Sequence, residues 1–205
     1  MLRLLQNPYF DVLLWAIISF SGVYFYQWEM SQVLFFIYLH HLIKVPSTIY
    51  TNYYLYNKNW SKASGFVFLY LVFFGVYSFF FMAVIYQYYP GHHHNLGFMD
   101  PFFSEFSGLL KYYGMPFIAL ILVEFITIWA KIRHLEPNEE QADKMVMRNM
   151  IYYGTMMVVV LLSALPTSSE FNLYSTQESI AALTIFTLAE LFFARSRRLT
   201  PKMEK

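Results

Sequence analysis

The sequence predicts an all-α, polytopic membrane bundle of six transmembrane helices with both termini on the cytoplasmic side. Three observations predict it. Hydrophobic residues make up 58% of the 205-residue chain and charged residues only 13%, against roughly 25% charged in ordinary soluble domains. Six stretches are apolar enough, and near enough to the roughly 20 helical residues that a hydrocarbon core demands, to be read as spans. The basic residues fall almost wholly on one side when the chain is followed through six crossings. The same composition excludes disordered, collagenous and coiled-coil chains. With 0 Cys, disulfide frameworks, thiolate metal sites and cysteine nucleophiles are excluded as well.

The spans form a single transmembrane domain over residues 1–205. The first runs from about Tyr9 to Tyr26. It follows Arg3, and Ser19-Phe20-Ser21 resembles the small-x-small pattern of a cleaved signal. The apolar run nevertheless continues to Tyr24, Tyr26 and Trp28, so this span is read as retained. The connection Gln27–Met30 is very short, which makes spans one and two a tight hairpin. Span two covers about Ser31–Tyr50, span three about Phe66–Tyr86 and span four about Tyr112–Ala130. Span five covers about Asn149–Leu165 and span six about Glu178–Ala194. These are continuous apolar runs, which excludes the alternating strands of a membrane β-barrel.

Orientation follows from Lys and Arg. One side receives Arg3, Lys58, Lys62, Lys131, Arg133, Lys144, Arg148, Arg195, Arg197, Arg198, Lys202 and Lys205, with Lys44 near that end of span two. The other side receives Lys111 alone, together with Glu29, Asp100, Glu105, Glu170 and Glu178. An error of one span in the middle would scramble this asymmetry, so it supports both the six crossings and cytoplasmic termini. Aromatic residues flank the spans as interfacial anchors: Tyr24, Tyr26 and Trp28; Tyr50, Tyr53, Tyr54, Tyr56 and Trp60; Tyr86, Tyr88 and Tyr89; Tyr112 and Tyr113.

Two loops carry detail. Lys131–Arg148 contains Glu136-Pro137-Asn138-Glu139-Glu140, where proline opens a helix and the acids suit its first turn. It reads as a solvated surface helix leading into span five. The outer loop Gln87–Leu110 holds Pro90, Gly91, His92, His93, His94 and Pro101, and its Phe102, Phe103 and Phe106 suggest an interfacial or re-entrant segment. Glu124 and Glu190 occupy similar places before basic clusters, a hint of repeated helical hairpins.

Ionisable groups inside hydrocarbon are functional candidates by default. Five qualify: His40, His41, Lys44, Glu124 and Glu190, all on spans two, four and six. Asp11 is set aside because it sits at the mouth of span one, within reach of water. Lys44 and Glu124 each lie six residues before the end of their span, roughly 9 Å inside, so the two can form an ion pair. His40 and Lys44 are spaced i, i+4 and share a face, which allows a His–Lys–Glu polar seam. Histidine changes charge near neutral pH, which suits proton coupling. The structural alternatives are Lys44 snorkelling to the interface, Glu190 reaching the basic tail, and a Lys44–Glu124 pair that only fixes register. His92, His93 and His94 can bind Zn²⁺ or Cu²⁺, with Asp100 or Glu105 completing the site, or form a solvated loop.

The hairpin around Gly22 and Trp28, then Tyr38-Leu39-His40-His41, the aromatic span Phe66–Tyr86 and Met147-Arg148 ahead of span five together resemble an uncharacterised bacterial six-span membrane family, known as a domain of unknown function. The resemblance implies a class and no activity.

Three functions remain open from the residues. The leading one is permeation or proton-linked transport of a small solute through a polar seam on spans two, four and six, without a cofactor. The alternatives are a non-enzymatic membrane subunit or scaffold, with a membrane protein or a second copy as partner, and a metal-dependent membrane enzyme. The missing signatures of intramembrane proteases, desaturases and phosphate loops weigh against an enzyme. Beyond the lipid bilayer no nucleic-acid partner is expected.

Overall fold

The computed structural model describes residues 7–88, 97–132, 136–163 and 176–194. Among these, every regular element is a helix and there is no strand. The helices are α1 (Pro8–Tyr26), α2 (Met30–Leu55), α3 (Trp60–Tyr88), the short α4 (Asp100–Ser107) and α5 (Leu109–Tyr112), α6 (Gly114–Ile132), α7 (Glu139–Ser163) and α8 (Thr176–Ala194).

The α1–α2 hairpin is specified locally. Asn7 caps α1, its side chain accepting from the Tyr9 N–H at 3.1 Å, and Pro8 takes the first helical position, where its missing N–H is harmless. Gln27 ends the helix in the left-handed region at φ 53°. Glu29 then opens α2 with a capping box, its own N–H donating to Gln32 Oε1 at 3.1 Å. Trp28 folds back onto Gly22, where an added Cβ would overlap the indole ring. The ring cannot yield, because it is buried and wedged against Phe36 and Tyr113. We expect Gly22→Ala to lower stability by about 1–3 kcal/mol through overpacking, read as reduced thermal stability in mild detergent. Unchanged stability would mean that the hairpin opens freely.

Helix α2 is the centre of the bundle. It packs against α1, α3, α6, α7 and α8, and α4 touches it as well. Contact from all sides explains why every residue from Val33 to His41 is buried, as expected of a helix enclosed by others. Pro46 sits inside α2 without ending it. The bond that its nitrogen cannot donate leaves the preceding turn weaker. Hydroxyls work alongside: Ser47 Oγ donates to Lys44 O at 2.8 Å and Thr51 Oγ1 to Ser47 O at 2.7 Å. Helix α3 turns Tyr70, Phe74, Tyr77 and Phe81 inward, a helical period of three to four residues, and pairs with α7.

Both ends of the bundle are tied. At one end the Asn138 N–H donates to Leu55 O at 2.9 Å, Tyr56 OH to Asp143 Oδ1 at 2.5 Å, and Lys62 Nζ to Glu139 Oε1 at 2.7 Å. At the other, Ser179 Oγ donates to Trp28 O at 3.3 Å and Tyr113 OH to Glu105 Oε2 at 2.7 Å.

The outer surface is apolar. Phe68, Leu71, Val72, Val76 and Phe79 of α3 and Ile118, Leu122 and Phe125 of α6 all face outward. Tyr9–Tyr26, Met30–Leu55 and Trp60–Tyr88 are long and apolar enough to cross a membrane, and Gly114–Trp129 and Ser179–Ala194 are shorter apolar helices. Several expected boundaries move. Span two extends to Leu55 and span three begins at Trp60. Span four starts at Gly114, after a break at Tyr113. The surface helix and span five are one continuous helix from Glu139, with Glu139, Glu140, Asp143 and Lys144 exposed as expected of a solvated start. Trp28, Tyr56 and Tyr113, expected as interfacial anchors, are core residues instead. Trp28 fills the notch at Gly22, and the Tyr56 and Tyr113 hydroxyls find internal acceptors in Asp143 and Glu105. Tyr24, Tyr26, Tyr50 and Trp60 do face outward.

Candidate functional site

The five candidate residues separate into two clusters, both built on α2. In the first, His41 lies eleven residues after Met30 and fourteen before Leu55, roughly 17 and 21 Å along the helix. Tyr77 of α3, Tyr152 of α7 and Glu190 of α8 converge on its ring. Tyr77 OH bonds to His41 Nδ1. His41 Nε2 lies 3.2 Å from Glu190 Oε1 and 2.7 Å from Tyr152 OH, and Tyr152 OH donates to Glu190 Oε1. His41 and Glu190 are each 1% exposed. The rings of Tyr77, Phe81, Tyr152 and Tyr153 surround the imidazole, and Tyr70 OH and Tyr153 OH share a hydrogen bond of 2.9 Å behind them. His40, on the neighbouring face, lies against Trp15 at 4.9 Å between ring centroids.

The hydrogen bonds of this arrangement can be written with either of two proton counts. With Glu190 ionised and His41 neutral, Tyr77 O–H donates to Nδ1, and Nε2–H and Tyr152 O–H donate to Glu190. With one proton more, Nδ1–H donates to the Tyr77 oxygen and Nε2–H still donates to Glu190. Tyr77 turns from donor to acceptor by rotating its hydroxyl. His41 and Tyr152 keep an acceptor for each N–H and O–H in both states, while the Tyr77 O–H gives up the imidazole as its acceptor when it rotates.

The second cluster joins α1, α2 and α6. Lys44 Nζ lies 3.4 Å from Asp11 Oδ2, close enough for Coulomb attraction though not aligned as a hydrogen bond. Ser47 Oγ lies 2.7 Å from Glu124 Oε1. The expected Lys44–Glu124 pair is thus not the one formed: Glu124 reaches α2 one turn beyond Lys44, and Asp11 takes the lysine. Asp11, set aside as water-accessible, is only 6% exposed, because α1 packs against both α6 and α2. Glu190, expected to reach toward the basic tail, turns inward to His41; the tail itself lies outside the described residues.

Sequence reasoning missed Tyr77, Tyr152, Ser47 and Asp11. The aromatic stripe Tyr70, Phe74, Tyr77, Phe81 was the available signal for Tyr77. Nothing in the sequence distinguishes Tyr152 from an interfacial tyrosine, since its role arises only when α7 and α8 meet α2.

His92, His93 and His94 lie outside the described residues. Asp100 and Glu105, their suggested co-ligands, are engaged elsewhere: Asp100 Oδ2 accepts from the Gly97 N–H at 2.6 Å, and Glu105 accepts from Tyr113. Among the described residues no group of three or more His, Cys, Asp or Glu could hold a metal. No protein-family model, curated protein or solved structure matches the chain, so function is read from the site.

Two groups near the helix ends titrate abnormally. Burial, reinforced by the Asp143 carboxylate, pushes the Tyr56 phenol up to about 12. Burial also raises the Glu105 carboxyl, against the Tyr113 hydrogen bond, which lowers it, and with a further upward push from Glu29. A raised carboxyl holds its proton more tightly when folded. Its contribution to stability is full below the ordinary carboxylate range and is lost as pH rises through the raised value. Glu105→Gln keeps the acceptor for Tyr113 and removes the ionisation. We expect the variant to be the more stable at neutral pH, with the difference in melting temperature closing on acidification. A difference that does not change with pH would contradict this account of Glu105.

Proposed function

We propose that the protein is a six-span membrane protein, with both termini on the side rich in Lys and Arg, that moves protons or a proton-linked small solute through the core of its bundle. The carrying observation is the convergence of Tyr77, Tyr152 and Glu190, from three helices, on the buried imidazole of His41. Buried ionisable groups within spans are rare, and in proton pumps and transporters such His and Glu side chains form proton relays. The apolar outer surface and the tethers at two opposite ends support alternating crossings. Asp11, Lys44, Ser47 and Glu124 extend the polar lining on another face of α2. An inner membrane of a bacterium is the location this reading implies.

The test is proton flux into proteoliposomes under an imposed membrane potential, followed with an internal pH dye. Wild type is expected to conduct protons and Glu190→Gln to lose this flux, because glutamine keeps the shape and cannot exchange a proton. Glu124→Gln is expected to reduce it. Flux unchanged in Glu190→Gln would overturn the reading.

A further inference from the structure

Six buried polar atoms make no hydrogen bond among the described residues: Trp15 Nε1, Lys44 Nζ, both amide atoms of Asn52, Asn149 Nδ2 and Thr187 Oγ1. A buried polar atom needs a partner, and where protein supplies none, internal water is the usual one. Their distribution along the bundle is uneven. Lys44 stands three residues after His41 on α2, Asn149 three before Tyr152 on α7, and Thr187 three before Glu190 on α8. Tyr152 and Glu190 therefore each have an unmet polar atom about one helical turn away on their own helix, whereas Lys44 Nζ keeps the Asp11 carboxylate at 3.4 Å as its charge partner. Asn52 continues the line along α2 toward Leu55 and is wholly buried. Trp15 lies level with His40, against which it packs. Only Thr187 is displaced toward the opposite end, and by a single turn.

The other half of the bundle is different. From Val33 to Leu39 the residues of α2 are apolar or aromatic and buried. Trp28, Phe35, Phe36, Phe102 and Tyr113 close ring on ring around them. Its polar side chains there pair among themselves, as Tyr38 OH does with Ser78 Oγ at 3.3 Å.

We propose that a line of internal water runs from the Leu55 end of the bundle, past Asn52 and Asn149, to the His41–Glu190 site, and that the aromatic half toward Met30 is dry. The site then exchanges protons with the basic side alone in this conformation. The proposal rests on the proton reading of His41 and Glu190 and adds the direction of access.

The chain holds 0 Cys, so a single introduced cysteine reports on water without background. Thiols react as thiolates, which form in water and not in a dry apolar core. The experiment places Asn52→Cys, Asn149→Cys, Leu34→Cys and Ile37→Cys separately in sealed vesicles of known orientation. A charged, membrane-impermeant thiosulfonate is added from either side, with exposed Lys58→Cys as the positive control. Asn52→Cys and Asn149→Cys are expected to be labelled from the Lys58 side only, and Leu34→Cys and Ile37→Cys from neither. An unlabelled Asn52→Cys in protein of normal elution profile, or Leu34→Cys labelled from the far side, would overturn the proposal. The unsubstituted chain gives a second measurement: hydroxyl-radical footprinting should modify Tyr152 and spare Phe36 and Tyr113, and equal modification would overturn it too. Failure of the proton reading is distinct. It would appear as proton flux unchanged in Glu190→Gln while the labelling pattern persists, whereas a dry Asn52 with Glu190-dependent flux removes the water path alone.

Discussion

Glu190→Leu is expected to destabilise the folded protein by about 2–6 kcal/mol, the cost of leaving two buried donors without their acceptor. The reason lies in what remains. His41 Nε2 and Tyr152 OH both direct hydrogen bonds at Glu190 Oε1, in a site where His41 is 1% exposed. Leucine leaves both without that acceptor, and each unmet donor costs about 1–3 kcal/mol. His41→Phe, which keeps the ring packing against Tyr77, Phe81, Tyr152 and Tyr153, is expected to be comparably damaging because it strips Glu190 of its histidine. The double variant His41→Phe/Glu190→Leu should be less damaged than the sum of the two, since apolar replacement of a whole buried pair is often close to neutral. Chemical denaturation in mild detergent measures all three. Strictly additive losses would show that His41 and Glu190 do not interact energetically.

The second large effect concerns Asp11 and Lys44. Their side chains are 7% and 15% exposed, so the pair is mostly but not wholly removed from water. Asp11→Asn leaves the Lys44 ammonium without that counter-charge, in a place where it makes no hydrogen bond to the protein. Because the lysine retains some exposure and a flexible stem that can snorkel, the expected loss is about 1–3 kcal/mol, less than for a fully enclosed pair. Lys44→Met should lose a similar amount, and Asp11→Asn/Lys44→Met should recover part of it. A coupling near zero in this cycle would show that the lysine satisfies itself at the interface and that the contact with Asp11 is incidental.

The sequence disclosed the helices well because their signal is local: unbroken apolar runs, and the proline and acids ahead of α7. It singled out His40, His41, Lys44, Glu124 and Glu190, because charge in an apolar run stands out, but it passed over Asp11 of α1, which is buried as well. Partnership was not legible. Matching depths made Lys44 and Glu124 a plausible pair, yet depth fixes only one coordinate. Rotation about each helix axis brings Asp11 to Lys44 and Ser47 to Glu124. Tyrosine was ambiguous for the same reason. Tyr24 and Tyr50 face outward as anchors, while Tyr77 and Tyr152 reach His41 and Tyr113 reaches Glu105. A phenol suits an interface and a buried network equally, and only the identity of the neighbouring helix decides between them. Gly22 shows the same limit: only the folded hairpin brings it against Trp28, whose indole fills the space a side chain would take.

The central claim is that the His41–Glu190 site gains and loses a proton within the folded protein. Infrared difference spectroscopy of reconstituted protein across a pH titration tests it most directly. The account predicts a reversible difference spectrum carrying imidazole or carboxyl bands that disappear in both His41→Phe and Glu190→Gln. A difference spectrum identical in wild type and Glu190→Gln would contradict it.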